Sequence, residues 1–201
     1  MFGMLAAPVT GFDNWPSAFG LAFVYGFFFV GGTGYRIILA VATRDEARKA
    51  SASWSGATTG TALAALAASL LIRDQAQAML VLAAYAVAIN AAYIPVKLAC
   101  LEAGCCHAHH RDPVLIRDHD LRRVEITLSA TVLAAALIAM WTGALGLAAV
   151  LGVGGHLAIR LMSRWSRDRL PGFGTDSEVK GQELLPLAAG LAAAIWFVAS
   201  P

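Results

Sequence analysis

Long uncharged runs, rather than alternating polar and apolar positions, organise this chain. Asn14 to Tyr35, Ala50 to Ile72 and Gln75 to Val96 contain no Asp, Glu, Lys or Arg. Leu184 to Pro201 is a shorter run of the same kind. Ile126 to Ile159 is long enough for two helices, and Thr142, Gly143 and Gly146 in its middle mark a tight hairpin, about Ile126 to Trp141 and Leu145 to Trp165. About 20 apolar residues cross the hydrocarbon of a bilayer, and a helix keeps every backbone hydrogen bond within the segment. The pattern predicts an all-α, polytopic membrane protein of about six transmembrane helices, forming one domain over residues 1–201. A seventh follows if the Lys97 to His110 segment re-enters the bilayer.

The first span runs on past its uncharged stretch, because Arg36 is followed by Ile37 to Ala42 before Arg44, Asp45 and Glu46. Arg36 is therefore expected to snorkel or to bind something. No basic residue precedes it, so Met1 to Gly11 lacks the charged region of a signal peptide, and the first helix is expected to be retained.

Basic side chains collect on the cytoplasmic side of short loops. Arg44, Arg48, Lys49, Lys97, Arg111, Arg117, Arg122, Arg123, Arg164, Arg167, Arg169 and Lys180 fall on one side, and Arg73 alone on the other. This predicts a bacterial-type inner-membrane protein with both termini outside. Lipid removes the hydrophobic drive between helices, so they should approach through small residues: Gly56 to Gly60, Gly26, Gly31, Gly32 and Gly34, and Gly152, Gly154 and Gly155.

Composition agrees with the runs. Of 201 residues, 58% are hydrophobic and 14% charged, where a soluble domain carries roughly a quarter charged, and the mean hydropathy is +0.65. A net charge of +2 is too small to argue for nucleic acid.

Candidate chemistry concentrates after the third predicted span. Lys97 to Asp112 holds Cys100, Cys105 and Cys106 together with His107, His109 and His110. Thiolate and imidazole ligate metals, but Cys105, Cys106 and His107 are contiguous and cannot all turn to one ion without strain, so no metal or other cofactor is expected. A reactive or buried thiol cluster is the alternative. Glu102, near the membrane edge, is either a functional carboxylate or a partner of Lys97 or an arginine. His107 could serve as a general base. A second group, His156, Arg160, Ser163, Arg164 and Arg167, lies along one stripe of the fifth span. Guanidinium groups at headgroup level suit an anionic phospholipid. Alternatively, Arg164 and Arg167 mark a cytoplasmic helix end while Arg160 snorkels.

The run from Lys97 to Ala108 resembles the signature of the prolipoprotein diacylglyceryl transferase family, in the branch reading Arg-Ile-Gly-Cys-x-x-Ala-Gly-Cys-Cys-Tyr-Gly. Cys100, Ala103, Gly104, Cys105 and Cys106 match in register. Lys97 stands for the arginine, Ala99 for a glycine, His107 for the tyrosine and Ala108 for the last glycine. Val24-Tyr25-Gly26 is similar to a Trp-Tyr-Gly of the family's first helix, and Arg160 to Arg167 keeps the spacing of Arg-Phe-x-x-Glu-x-x-Arg, with Arg164 at the glutamate. Gly181 to Pro186 is similar to a Gly-Gln-x-x-Ser segment before the final helix. The family's His-Gly-Gly motif has no counterpart, since the second and third spans contain no histidine.

The resemblance implies transfer of a diacylglyceryl group from phosphatidylglycerol to a thiol, inside the membrane and without a metal. It implies that Tyr25, Lys97 and Arg160, with Glu102 or His107, surround a phospholipid headgroup. Arg36, His156, Arg164 and Arg167 are the further lipid-binding candidates. Two readings follow. The first is a lipid-modifying transferase acting on a phosphatidylglycerol-like lipid. The second is a non-catalytic subunit that binds anionic lipid and stabilises a larger membrane complex. A metal or redox protein built on Cys100, Cys105, Cys106 and His107 is a third.

Overall fold

The computed structural model describes residues 54–102, 115–116, 119–167 and 184–199, with Val41 as an isolated helical position. Five helices follow in order: α1 (Trp54–Leu71), α2 (Gln75–Glu102), α3 (Leu121–Trp141), α4 (Leu145–Arg167) and α5 (Leu184–Ala199). A two-residue antiparallel ladder, β1 (Leu115–Ile116) with β2 (His119–Asp120), precedes α3. The chain is thus all-α in class.

Three of these helices, α2, α3 and α4, are long and apolar enough to cross a membrane, where the charge-free runs predict six spans. The shortfall has two physical sources. Over its 16 residues α5 rises about 24 Å at 1.5 Å per residue, short of a hydrocarbon core about 30 Å thick, and the apolar part of α1, Ala57–Leu71, is similarly short. The predicted span at 14–35, with its continuation through Arg36, lies outside the described residues. Of the Lys97 to His110 segment, the first six residues continue α2 through Glu102, and the rest lies outside the described residues.

Local chemistry sets the helix ends. Asp74 begins α2, its Oδ1 accepting from the Ala76 amide at 2.9 Å, and Asp120 caps α3 by accepting from the Arg122 amide at 2.8 Å. Each carboxylate satisfies amides that lack an intrahelical partner and faces the positive end of the helix dipole. Between α3 and α4, Gly143 adopts φ 79°. The Gly143 amide donates to the Met140 carbonyl at 3.1 Å and the Ala144 amide to the Ala139 carbonyl at 2.9 Å. This pair of bonds is the Schellman closure that a left-handed residue allows.

The longest helix, α2, is central. Residues from Ala78 to Val87 are buried on every side of it, and it packs on α1, α3, α4 and α5. Glycine brings α4 close: a Cβ on Gly152 would lie 2.5 Å from Ala86 Cβ and 3.1 Å from the Ala86 carbonyl carbon, both on α2. A Cβ on Gly155 would lie 2.6 Å from a Val132 methyl of α3. At one end of the bundle the start of α2 meets the end of α5, with Gln75 Nε2 donating to the Phe197 carbonyl at 2.6 Å. Gly146, on the first turn of α4, packs there too, against Val198 and Met79. The end of α2, the start of α3 and the end of α4 therefore share the opposite end.

A buried ion network as candidate functional site

At that opposite end three polar helix faces meet. On α2, Asn90, Tyr93 and Lys97 follow at steps of three and four residues, which places them on one face. Glu125 and Ser129 do the same on α3, and Gly152, His156, Arg160 and Ser163 on α4. Asn90, Tyr93, Glu125, Ser129 and His156 are fully buried, and Lys97 and Ser163 nearly so.

The side chains form a chain of contacts centred on Tyr93. Its hydroxyl donates to Glu125 Oε1 at 2.9 Å and accepts from Arg160 Nη1 at 3.0 Å. Lys97 Nζ lies 2.7 Å from Glu125 Oε2. Both cations also stand near the Tyr93 ring, at 5.0 Å for Lys97 and 5.7 Å for Arg160, within the reach of a cation–π attraction. His156 meets the same ring edge-on, with centroids 5.1 Å apart. At 1.5 Å per residue, Glu125 lies about 6 Å from the start of α3, Lys97 about 8 Å from the end of α2 and Arg160 about 10 Å from the end of α4. The network therefore sits within about two helical turns of one end of the bundle, buried, where a charge is costly unless partnered.

Pro95 sits between Tyr93 and Lys97 on the exposed side of α2. It has no amide to give the Ala91 carbonyl, so the hydrogen-bond ladder is interrupted between the two network residues. A second polar clamp ties α2 to α3. Arg122, itself buried, donates through Nε to Asp120 Oδ1 at 2.9 Å and through Nη1 to the Cys100 carbonyl at 3.2 Å.

Among the residues expected to act chemically, Lys97 and Arg160 come together at Tyr93, while Glu102 is exposed at the last position of α2. Tyr25 and His107 lie outside the described residues. His156 is fully buried beside Tyr93, and Arg160 and Arg164 are half-buried. Arg167 ends α4, and Arg36 lies outside the described residues. In the thiol cluster, Cys100 is half-buried near the end of α2, and Cys105 and Cys106 fall outside. Among the described residues no three His, Cys, Asp or Glu side chains are grouped as a metal site.

Tyr93, Glu125, Asn90 and Ser129 were not among the sequence candidates. Two signals could have found them. Tyr93 stands four residues before Lys97, and Glu125 is the carboxylate immediately before the apolar run that begins at Ile126. Marking spans by absence of charge ended the third at Val96 and began the next pair at Ile126, cutting away Lys97 and Glu125, the two residues that pair.

No family model, curated protein or solved structure matches the chain.

Proposed function

We propose that the chain is an integral membrane transferase that grips an anionic, phosphatidylglycerol-like lipid by its phosphate and moves a lipid-derived group to a nucleophile. The observation that carries this reading is the meeting of Lys97 and Arg160, from two helices, at one buried tyrosine. Ionisable residues inside a membrane bundle mark functional sites by default, given their cost there. A guanidinium forks onto two phosphate oxygens while an ammonium adds a mobile point charge. The same pair favours the charge that gathers on a departing glycerol phosphate. The type of reaction rests on the resemblance of Lys97 to Ala108 to the prolipoprotein diacylglyceryl transferase signature. In this proposal Tyr25 and His107 complete the site, and Arg36, Arg164 and Arg167 hold lipid at the rim. The membrane is a bacterial-type inner membrane, with both termini outside.

Purified protein in detergent, given labelled phosphatidylglycerol and a cysteine peptide, tests the reading. Release of glycerol phosphate is expected, falling about 100-fold or more in Lys97→Met and Arg160→Met, on the scale of one removed electrostatic donor. Phosphatidylglycerol left intact by the parent protein would contradict it.

A second reading, a non-catalytic subunit of a larger membrane complex, draws on the internal closure of the network. Both Glu125 oxygens have partners within the protein, as in a cluster whose role is to fix helix packing. Under this reading the chain co-purifies with fixed partners in mild detergent, and elution as a lone chain refutes it.

A further inference from the structure

At the end of the bundle away from the ion network, Trp141 closes α3 and Trp196 stands near the end of α5, both largely exposed. They share one level. Val198 packs on Gly146 in the first turn of α4, and the short turn after Trp141 leads into that same first turn. Tryptophan collects where hydrocarbon meets headgroup, with its ring in the apolar layer and its N–H in the wet one.

A second level lies at the network. At 1.5 Å per residue, Glu125 is about 24 Å back along α3 from Trp141, and Arg160 is about 23 Å along α4 from Leu145. Lys97 stands farther along α2, and its ammonium reaches back to the Glu125 carboxylate. The start of α5 marks the same level independently. Gly190 packs on Val153, Leu191 on Gly154 and Val198 on Gly146, an antiparallel register that sets Leu184, where α5 begins, at the height of Arg160. First-turn amides have no partner within a helix, and hydrocarbon offers none. Pro186 removes one of them, and the others call for water or headgroups. On α3 the exposed charge, Arg123, lies just beyond this level. Between the two levels α1, α3, α4 and α5 carry no Asp, Glu, Lys or Arg, and they expose Leu128, Ile138, Leu151 and Ile195.

We propose that the bundle lies in a bilayer with Trp141 and Trp196 in one interface and with Glu125, Arg160 and the start of α5 at the opposite edge of the hydrocarbon. The apolar belt is then about 24 Å high, about 6 Å less than an ordinary hydrocarbon core. A belt that short is met by local thinning of the bilayer, which lowers the phosphates of the leaflet at the charged end to the height of Lys97 and Arg160. The placement does not depend on the transferase reading; for that reading it names the leaflet that supplies the lipid.

The test is depth-dependent quenching of tryptophan fluorescence in vesicles of oleoyl phosphatidylcholine that carry lipids brominated at graded positions along the acyl chain. Trp15, Trp54, Trp165 and Trp196 are changed to Phe, so that Trp141 reports alone. The same background with Trp141→Phe then receives either Ala134→Trp, at an exposed position midway along the α3 belt, or Leu185→Trp, at an exposed position in the first turn of α5. Trp141 and the reporter at position 185 are expected to be quenched best by the shallowest bromines. The reporter at position 134 is expected to read about 10 Å deeper than Trp141, the rise of the helix between them. Equal depth at all three positions would mean helices lying along the surface, and a reporter at position 185 sunk about 6 Å below the headgroups would mean a bilayer of full thickness; either result overturns the proposal. A companion protein with Trp196 alone needs no added side chain, so deep quenching of Trp141 or Trp196 overturns the belt even if both added reporters disturb the fold. None of these readings requires turnover: a protein that shows them and leaves phosphatidylglycerol intact keeps its placement and loses only the transferase reading.

Discussion

The ion pair between Lys97 and Glu125 makes a quantitative prediction about stability. Both side chains are at most a few per cent exposed, and their charged atoms lie 2.7 Å apart. Glu125 also accepts the Tyr93 hydroxyl. Changing Lys97 to Met leaves the carboxylate buried without its ammonium, and changing Glu125 to Gln leaves the ammonium facing an amide. Breaking a buried pair by removing one partner costs about 3–5 kcal/mol, whereas replacing the whole pair by groups of similar volume is often neutral. Each single variant should therefore shift the unfolding equilibrium by about two to four powers of ten. The double variant should be far more stable than the sum of the two losses, with a coupling of about 2 kcal/mol or more. Equilibrium unfolding in mixed micelles of dodecyl sulfate and a mild detergent, followed by circular dichroism, measures all four proteins. Losses that simply add, or single variants within about 0.5 kcal/mol of the parent as for surface sites, would refute the buried pair.

Further predictions concern the neighbours of this pair. Tyr93→Phe removes the hydroxyl that joins Glu125 to Arg160, and should cost about 1.5–3 kcal/mol in the same unfolding assay, the range for hydrogen bonds to charged groups. Gly152→Leu places side-chain atoms against the Ala86 backbone, forcing α4 from α2 and parting Asn90 from its carbonyl partner; the expected loss is at least about 1–3 kcal/mol. Gly143→Ala meets no atom within 4 Å, so any loss there, about 1 kcal/mol, reflects the left-handed backbone alone. Asp120→Ala removes both the α3 cap and the Arg122 carboxylate partner. Its loss should exceed the roughly 1 kcal/mol typical of a cap, and faster amide exchange at the first turn of α3 would show where it acts.

Much of the fold was legible because membrane helices announce themselves by composition. The hairpin marked by Thr142, Gly143 and Gly146 follows from helix-weakening residues in an over-long apolar run; the structure turns at the first two, through the positive φ of Gly143, while Gly146 lies in the first turn of α4. The same rule hid the site. A helix of 28 residues can carry a lysine near its end and still be apolar along the part that meets hydrocarbon, so α2 continues past Val96 to Glu102. Glu125, which bounds an uncharged run in the sequence, is a buried partner of Lys97 in the structure. The stripe of His156 and Arg160 was visible from helical spacing alone. That His156 would be buried against Tyr93 was not, because which faces of α2, α3 and α4 meet depends on where glycines let the backbones close, at Gly152 and Gly155. Glu102 illustrates the converse: its sequence neighbourhood suggested a role, yet five residues beyond Lys97 on a helix it turns to another side, where it is exposed.

The proposed function requires that Lys97 and Arg160 serve a lipid phosphate as well as the protein. An experimental map of the protein crystallised from a lipidic phase containing phosphatidylglycerol tests this most directly. Phosphate density is expected within hydrogen-bonding reach, about 3 Å, of both Lys97 Nζ and the Arg160 guanidinium. A well-resolved site in which these two groups touch only Glu125 and Tyr93, with the lipid phosphates elsewhere, would contradict it.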